Sequence, residues 1–331
     1  ESFTIEEKKS FSERNIIDIN HTDEYEDMQL FHTAEHTRAF LKVQDGCNQF
    51  CTYCIIPYAR GRIRSRDLDN MLSEVEQLAK NGFKEIVLTG IHLSSYGKEK
   101  ARTGENLSLI DAIREVAGVE GIERVRLGSL EPMIITEEFL KQLKDIKEFC
   151  PHFHLSLQSG CEETLKRMNR HYTPQMYLER CDLIRKYFKN PAITTDVIVG
   201  FPGETEEEFA KCRELLEKVQ FSEMHIFKYS KRHGTIAAKM ENQVADNIKS
   251  QRSDILIALN NEMNLKYKEQ FIGEEEEILV EEKIKYKERE YQVGYTKEYV
   301  KVGIVSDEDI TGKVVKARIV DNLGEILLAQ I

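Results

Sequence analysis

Six short runs of β-branched and apolar residues, each followed by a stretch with helical spacing, organise the chain from Arg38 to Tyr229. The runs are Ala39–Gln44, Glu85–Thr89, Arg124–Gly128, Phe153–Gln158, Ile193–Val199 and Met224–Tyr229, and the intervening helices include Leu68–Lys80 and Thr205–Val219. A change from strand-like runs to a 3.6-residue period and back is the mark of repeated βα units, whose crossover helices make neighbouring strands parallel. The expected class is therefore α/β, an open sheet or a partial six-unit barrel. In both, ligands sit at the carboxyl ends of the strands. Cys47, Gly90, Ser129, Gln158 and Gly200 all follow predicted strand ends.

Beyond a long polar helix, roughly Val244–Gln270, the pattern changes to short strands between Gly and charged turns: Ile278–Val280, Val300–Val305 and Val314–Val320. This spacing predicts a small all-β barrel. Residues 1–37 alternate acidic and apolar positions without a period and are expected to be a linker or strap. A chain of 331 residues accommodates one large domain and a small one. No apolar run is long enough to span a bilayer, no secretory signal opens the chain, and seven cysteines, three crowded into eight positions and four scattered, do not form a disulfide framework, so a reducing cytoplasm is expected. The first residue is Glu1, not Met, and the chain is expected to be a fragment.

The net charge of −11 excludes general affinity for polyanions, so nucleic-acid contact must use local basic patches. Two candidates stand out: the run Arg60, Arg62, Arg64 and Arg66, and the alternating Lys283, Lys285, Lys287 and Arg289. The arginines have an alternative use, pairing with Asp67, Asp69 and Glu74, and the lysines are diluted by Glu281, Glu282, Glu288 and Glu290.

Cys47, Cys51 and Cys54 crowd three thiols into one loop at spacings of four and three. Soft thiolates select iron–sulfur clusters, zinc or copper(I), and a structural zinc site calls for a fourth protein ligand nearby. The next cysteine is Cys150 and the nearest downstream histidine is His92. Three thiolates on a four-iron cube leave one iron open for a chelating substrate. The competing reading is a non-catalytic RNA-binding module with structural zinc. Cys150, Cys161, Cys181 and Cys212 fall mostly in helical patterns, where a free cysteine behaves as a small buried hydrophobe.

Leu41–Gly61 (LKVQDGCNQFCTYCIIPYARG) resembles the signature of the radical S-adenosylmethionine (SAM) methylthiotransferase family. The segments Leu88–Gly90, Gly128–Pro132, His154–Gly160, Lys166–Arg170 and Thr195–Thr205 resemble that family in the same order. The resemblance implies a partial (β/α)6 barrel over residues 38–265 and an RNA-gripping, OB-like TRAM domain over 266–331. It implies a [4Fe–4S] cluster on Cys47, Cys51 and Cys54 whose open iron chelates SAM, with a reducing electron donor supplying the electron that yields a 5′-deoxyadenosyl radical. Gly90, Ser129, Glu131, Gln158, Asp196 and Gly200 are the implied cofactor contacts. Arg38–Cys47 and Ile55–Gly61 look most like the branch that methylthiolates carbon 2 of N6-threonylcarbamoyladenosine beside the tRNA anticodon. Sister branches act on isopentenylated adenosine in tRNA or on a ribosomal-protein aspartate. Family members normally begin with a domain whose three cysteines hold a second cluster implicated in sulfur delivery. Residues 1–37 contain no cysteine, so this chain is expected to bind SAM without completing sulfur insertion.

Overall fold

The computed structural model describes residues 37–100, 104 and 107–331, together with Ile19, Thr22, Tyr25 and Glu26. The rest of the expected strap over 1–37 lies outside the described residues. Seven strands build the larger body: β1 (Arg38–Asp45), β2 (Arg64–Ser65), β3 (Glu85–Gly90), β4 (Arg124–Leu127), β5 (His152–His154), β6 (Ala192–Val199) and β7 (Glu223–Lys228). β1, β3 and β4 pair in parallel, with β2 antiparallel at the end of β1, and β5, β6 and β7 form a second parallel set. Isolated parallel bridges Val125↔Phe149 and Leu130↔Leu155 join the two sets. The result is a curved run of six parallel strands in sequence order, with all their carboxyl ends on one rim.

Helices follow the strands as the periodicity requires. Leu68–Lys80 starts where the Asp67 carboxylate accepts from the backbone N–H groups of Asp69 and Asn70, and it buries Met71, Val75 and Leu78 on one stripe. Glu206–Val219 opens with a reciprocal Thr205–Glu208 capping box and buries Phe209, Cys212, Leu216 and Val219. The apolar stripes and the inner strand faces close into one core. Cys150, Cys161, Cys181 and Cys212 are free and buried, in keeping with a packing role.

Strand β5 ends at His154, earlier than the run to Gln158 predicts. Beyond it, Gln158 adopts φ +69°, and its backbone is held between Asp196 O (2.8 Å) and Ile198 N (2.9 Å).

The chain then runs through a helix, Asp246–Glu269, into five strands: β8 (Glu275–Tyr286), β9 (Arg289–Tyr295), β10 (Lys301–Ile304), β11 (Val314–Asn322) and β12 (Leu327–Gln330). They close as a barrel in the order β10-β12-β11-β8-β9. Tyr267 and Phe271, from the end of the helix, pack into the barrel core with Ala192 of β6. A boundary drawn at residue 266 therefore falls within the last turn of a continuous helix.

A buried ion cluster fastens the barrel to the amino ends of the parallel strands. The Glu85 carboxylate receives Arg126 Nε at 2.7 Å and Arg38 Nε at 2.8 Å, with Arg124 Nη1 3.9 Å away. The same arginines donate across to barrel carbonyls, Arg124 to Tyr295 O (2.8 Å) and Glu277 O (2.6 Å), and Arg126 to Lys297 O (2.8 Å). Burial alone would raise the Glu85 carboxyl, but the guanidinium groups of Arg126, Arg38 and Arg124 outweigh it and hold the group down at about 2.

Candidate active site

The loop after β1 carries the three clustered cysteines at the carboxyl rim. Gly46 starts it with φ +70°, and a Cβ there would lie 1.8 Å from Arg62 O. Cys47 N donates to Gly61 O (3.1 Å), which closes the loop's far end. The segment Lys166–Arg170 grips its middle: Asn169 Nδ2 donates to Phe50 O (3.1 Å), Thr52 N to Met168 O (3.1 Å) and Thr52 Oγ1 to Arg167 O (2.8 Å). Gly46→Ala is expected to destabilise the chain by more than about 1 kcal/mol, because both the conformation and the space exclude a side chain. It should also lose iron on desalting; an unchanged melting temperature and full iron retention would contradict this account of the loop.

All three cysteines line a cavity of about 140 Å³ that also takes in Ser129, Glu131 and Gln158. Gln158 and Cys54, with Tyr53 and Ile56, also border a second cavity of about 580 Å³ that holds Asp196. The second volume falls in the range of small-molecule sites. Of the implied cofactor contacts, Ser129, Glu131, Gln158 and Asp196 thus gather at two cavities that share Tyr53, Cys54, Ile56 and Gln158 as walls.

Gly90 and Gly200 do not. Gly90 pairs with Gln44, and its neighbours Ile91 and His92 line the smaller cavity instead. Gly200 belongs to a turn: its N–H donates to Glu204 Oε1 (2.8 Å), and a Cβ would meet Lys249 Cγ at 2.3 Å, so its lack of a side chain seats the Asp246–Glu269 helix.

The arginine run divides. Arg60 and Arg62 are exposed, and the Arg62 guanidinium lies over the Phe50 ring at 4.9 Å. Arg64 and Arg66 are 4% and 2% exposed. Arg66 Nη1 pairs with Glu74 at 2.6 Å; Arg64 Nη2 lies 3.6 Å from Asp45 Oδ2, and its Nη1 caps Arg60 O and Arg62 O. Burial therefore removes these two from any RNA-facing role. In the barrel, Lys283 and Lys285 share an exposed face of β8, though Lys283 pairs with Asp309 at 2.9 Å. Lys287 stands outside the stripe, in the two-residue hairpin turn with Glu288, and donates to Leu323 O at 2.9 Å.

Arg170 is the residue that sequence reasoning missed. Its side chain is 7% exposed; Nη2 pairs with Glu131 Oε1 at 2.7 Å and Nη1 approaches Cys51 Sγ at 3.4 Å. Nε donates to Tyr172 OH (3.0 Å), whose hydroxyl is anchored on Ser156 O (2.7 Å). His92 completes the wall, with Nε2 3.6 Å from Glu131 Oε2 and 3.3 Å from Gln49 Nε2. The only sequence signal for Arg170 was its place in the Lys166–Arg170 segment.

Burial pushes the Cys47 thiol up to about 11, with Cys51, Cys54 and Glu131 adding to it, and burial likewise raises Cys54. Such crowded thiols become thiolates when a cation neutralises them. Among the described residues, no three His, Cys, Asp or Glu side chains converge on one point that would hold a single metal ion. Zinc needs four donors about 2.0–2.3 Å from a common centre. Three cysteine thiols lining one cavity are the donor set of a cube that takes one thiolate at each of three irons, so these residues fit the cluster.

Comparison with known proteins agrees with the geometry. The model of the Radical SAM superfamily matches residues 41–216. The threonylcarbamoyladenosine tRNA methylthiotransferase MtaB of Bacillus subtilis is 44% identical over 298 residues, covering 89% of this chain and 65% of that protein. A tRNA-2-methylthio-N(6)-dimethylallyladenosine synthase of Acetivibrio thermocellus is 42% identical over 282 residues, covering 85% and 58%. The chain thus spans less than two thirds of the length of these curated relatives. Among solved structures, the radical SAM enzyme coproporphyrinogen III oxidase (HemN) of Escherichia coli aligns with a TM-score of 0.49 at 18% identity, covering 69% of this chain and 53% of that one. No helix of the described residues is long and apolar enough to cross a membrane. From its three-thiol loop to the match across its parallel strands, the chain belongs to the radical SAM superfamily.

Proposed function

We propose that the chain is the catalytic part of a tRNA methylthiotransferase acting on carbon 2 of N6-threonylcarbamoyladenosine beside the anticodon. The observation that carries this reading is the loop of Cys47, Cys51 and Cys54 lining one cavity, with Cys54 also bordering a second, in a chain 44% identical to a threonylcarbamoyladenosine tRNA methylthiotransferase. When bound, the [4Fe–4S] cluster and SAM supply radical chemistry at an unactivated adenine carbon, which no side chain provides. The chain's own residues bind and orient. The three thiolates anchor the cluster, and Glu131, held by Arg170, accepts from an ammonium group. Ser129 and Gln158 offer hydrogen bonds to the cofactor, and Asp196 accepts from its hydroxyls.

Residues 38–265 form the catalytic domain in this reading, 1–37 are the strap and 266–331 are a TRAM domain that grips RNA. Arg60, Arg62 and the Lys283–Lys285 face would take phosphates. Sulfur delivery is assigned to a further domain with its own cluster, and an electron donor is required, in the cytoplasm. Mass analysis of tRNA nucleosides from a strain lacking the protein tests the reading. The methylthio mark on threonylcarbamoylated adenosine should disappear; its persistence at wild-type level would overturn the assignment.

A further inference from the structure

The cluster loop carries a further set of side chains on its outer side. Gln49 and Ile56 line the smaller cavity, and Phe50 and Tyr58 follow them within two residues. In the helical turn Ile56–Ala59, residues two apart point in different directions, so Ile56 faces the cavity and Tyr58 the surface beside it. Tyr58 is 53% exposed. Its ring meets Phe50 edge-on, with centroids 5.7 Å apart, and the guanidinium of exposed Arg62 lies 4.9 Å from the centre of the same Phe50 ring.

Two features set this patch apart from ordinary surface. Phe50 holds φ +51°, a conformation that is costly for a bulky side chain, and Asn169 Nδ2 pins it there through Gln49 O (3.3 Å) and Phe50 O (3.1 Å). The exposed arginines are also unopposed: Arg64 and Arg66 have Asp45 and Glu74, but among the described residues no carboxylate pairs with Arg60 or Arg62, in a chain whose net charge is −11. Aromatic rings beside an unopposed guanidinium suit single-stranded RNA, since an unstacked base covers a ring or a guanidinium plane while its phosphates meet the charge.

We infer that Phe50, Tyr58 and Arg62 form a stacking platform for the unpaired base next to the target adenosine. The inference rests on the tRNA reading above and deepens it. Carbon 2 of an adenine meets the cavity only when the base leaves its stack, and that leaves the neighbouring base with an uncovered face. Rings and a guanidinium beside the cavity cover that face and offset part of the cost of extraction. Every base has a π face, so the platform holds the loop in place without reading its sequence. A protein surface is the other occupant that an exposed tyrosine and two arginines fit.

Fluorescence anisotropy with the anaerobically reconstituted chain, at matched iron content, separates these cases. The probes are three anticodon stem-loops carrying threonylcarbamoyladenosine: one intact, and two with an abasic site on the 5′ or the 3′ side of that nucleotide. Tyr58→Ala should weaken binding of the intact stem-loop about fivefold or more, and Tyr58→Phe by less than about twofold, as loss and retention of base stacking require. One of the abasic stem-loops should show a similar loss on the wild type yet bind Tyr58→Ala within about twofold of the intact one, because ring and base belong to the same contact. An unchanged affinity of Tyr58→Ala for the intact stem-loop would overturn the inference and leave the surface to a protein partner. Abasic penalties as large in Tyr58→Ala as in the wild type would overturn it as well. Failure of the wild type to bind any of the three would instead count against the tRNA reading itself.

Discussion

Glu85→Gln is expected to lower the unfolding free energy by about 3–5 kcal/mol, the range for removing one partner from a buried ion pair. The carboxylate has no exposed surface and is the common anion for Arg38, Arg124 and Arg126, so the variant strands positive charge between the parallel strands and the barrel. Chemical denaturation of both proteins at neutral pH measures the effect, and a loss below about 1 kcal/mol, the scale of a surface pair, would mean the cluster does not hold the two bodies together. The pH dependence follows with a definite sign. Because the folded-state value is depressed from 4.5 to about 2, the contribution is fully present above 4.5 and is lost as pH falls through about 2. The stability difference between wild type and variant should shrink over that window and stay level above it.

Cys51→Ala is expected to take the anaerobically reconstituted chain from about four irons to less than one, with loss of the brown colour. Cys51 lines the smaller cavity and receives Arg170, so its thiolate is both a ligand and the point where the buried guanidinium meets the cluster. Cys212→Ala is the comparison: that thiol packs behind the sheet and accepts from Gly160 N at 3.1 Å, and its removal should leave iron content unchanged. Iron retained by the Cys51 variant, or lost equally by both, would sink the assignment of the ligands.

Much of this architecture was readable from residue pattern. All six parallel strands were placed, five with bounds within about two residues, because a strand buried on both faces leaves a dense apolar run that turn residues delimit. The exception, β5, is instructive. His154–Gln158 keeps a strand-like pattern, but positive φ at Gln158 and isolated bridges, to Leu130 on one side and to β6 on the other, make it irregular, and that geometry depends on distant partners. The barrel strands β9 and β12 were not singled out, since their short runs are interspersed with Glu, Arg, Gln and Gly, and closure, not composition, decides their pairing.

At the site, local motif spacing identified the cysteines, while long-range pairing decided the fate of the charges. Nothing adjacent to Arg64 or Arg66 distinguishes them from Arg60 and Arg62. Glu74, which the sequence offers as an alternative partner for the run, takes Arg66, whereas the Asp45 that faces Arg64 lies on β1 and meets it only once the chain folds. Arg170 was hidden for the same reason, its partner Glu131 lying 39 residues earlier in the chain.

The most direct test of the central claim is reductive cleavage of SAM by the anaerobically reconstituted chain supplied with a chemical reductant. The account predicts 5′-deoxyadenosine and methionine in equal amounts, abolished by Cys51→Ala. A chain that carries its full complement of iron and sulfide, binds SAM, and yet forms no 5′-deoxyadenosine would contradict it.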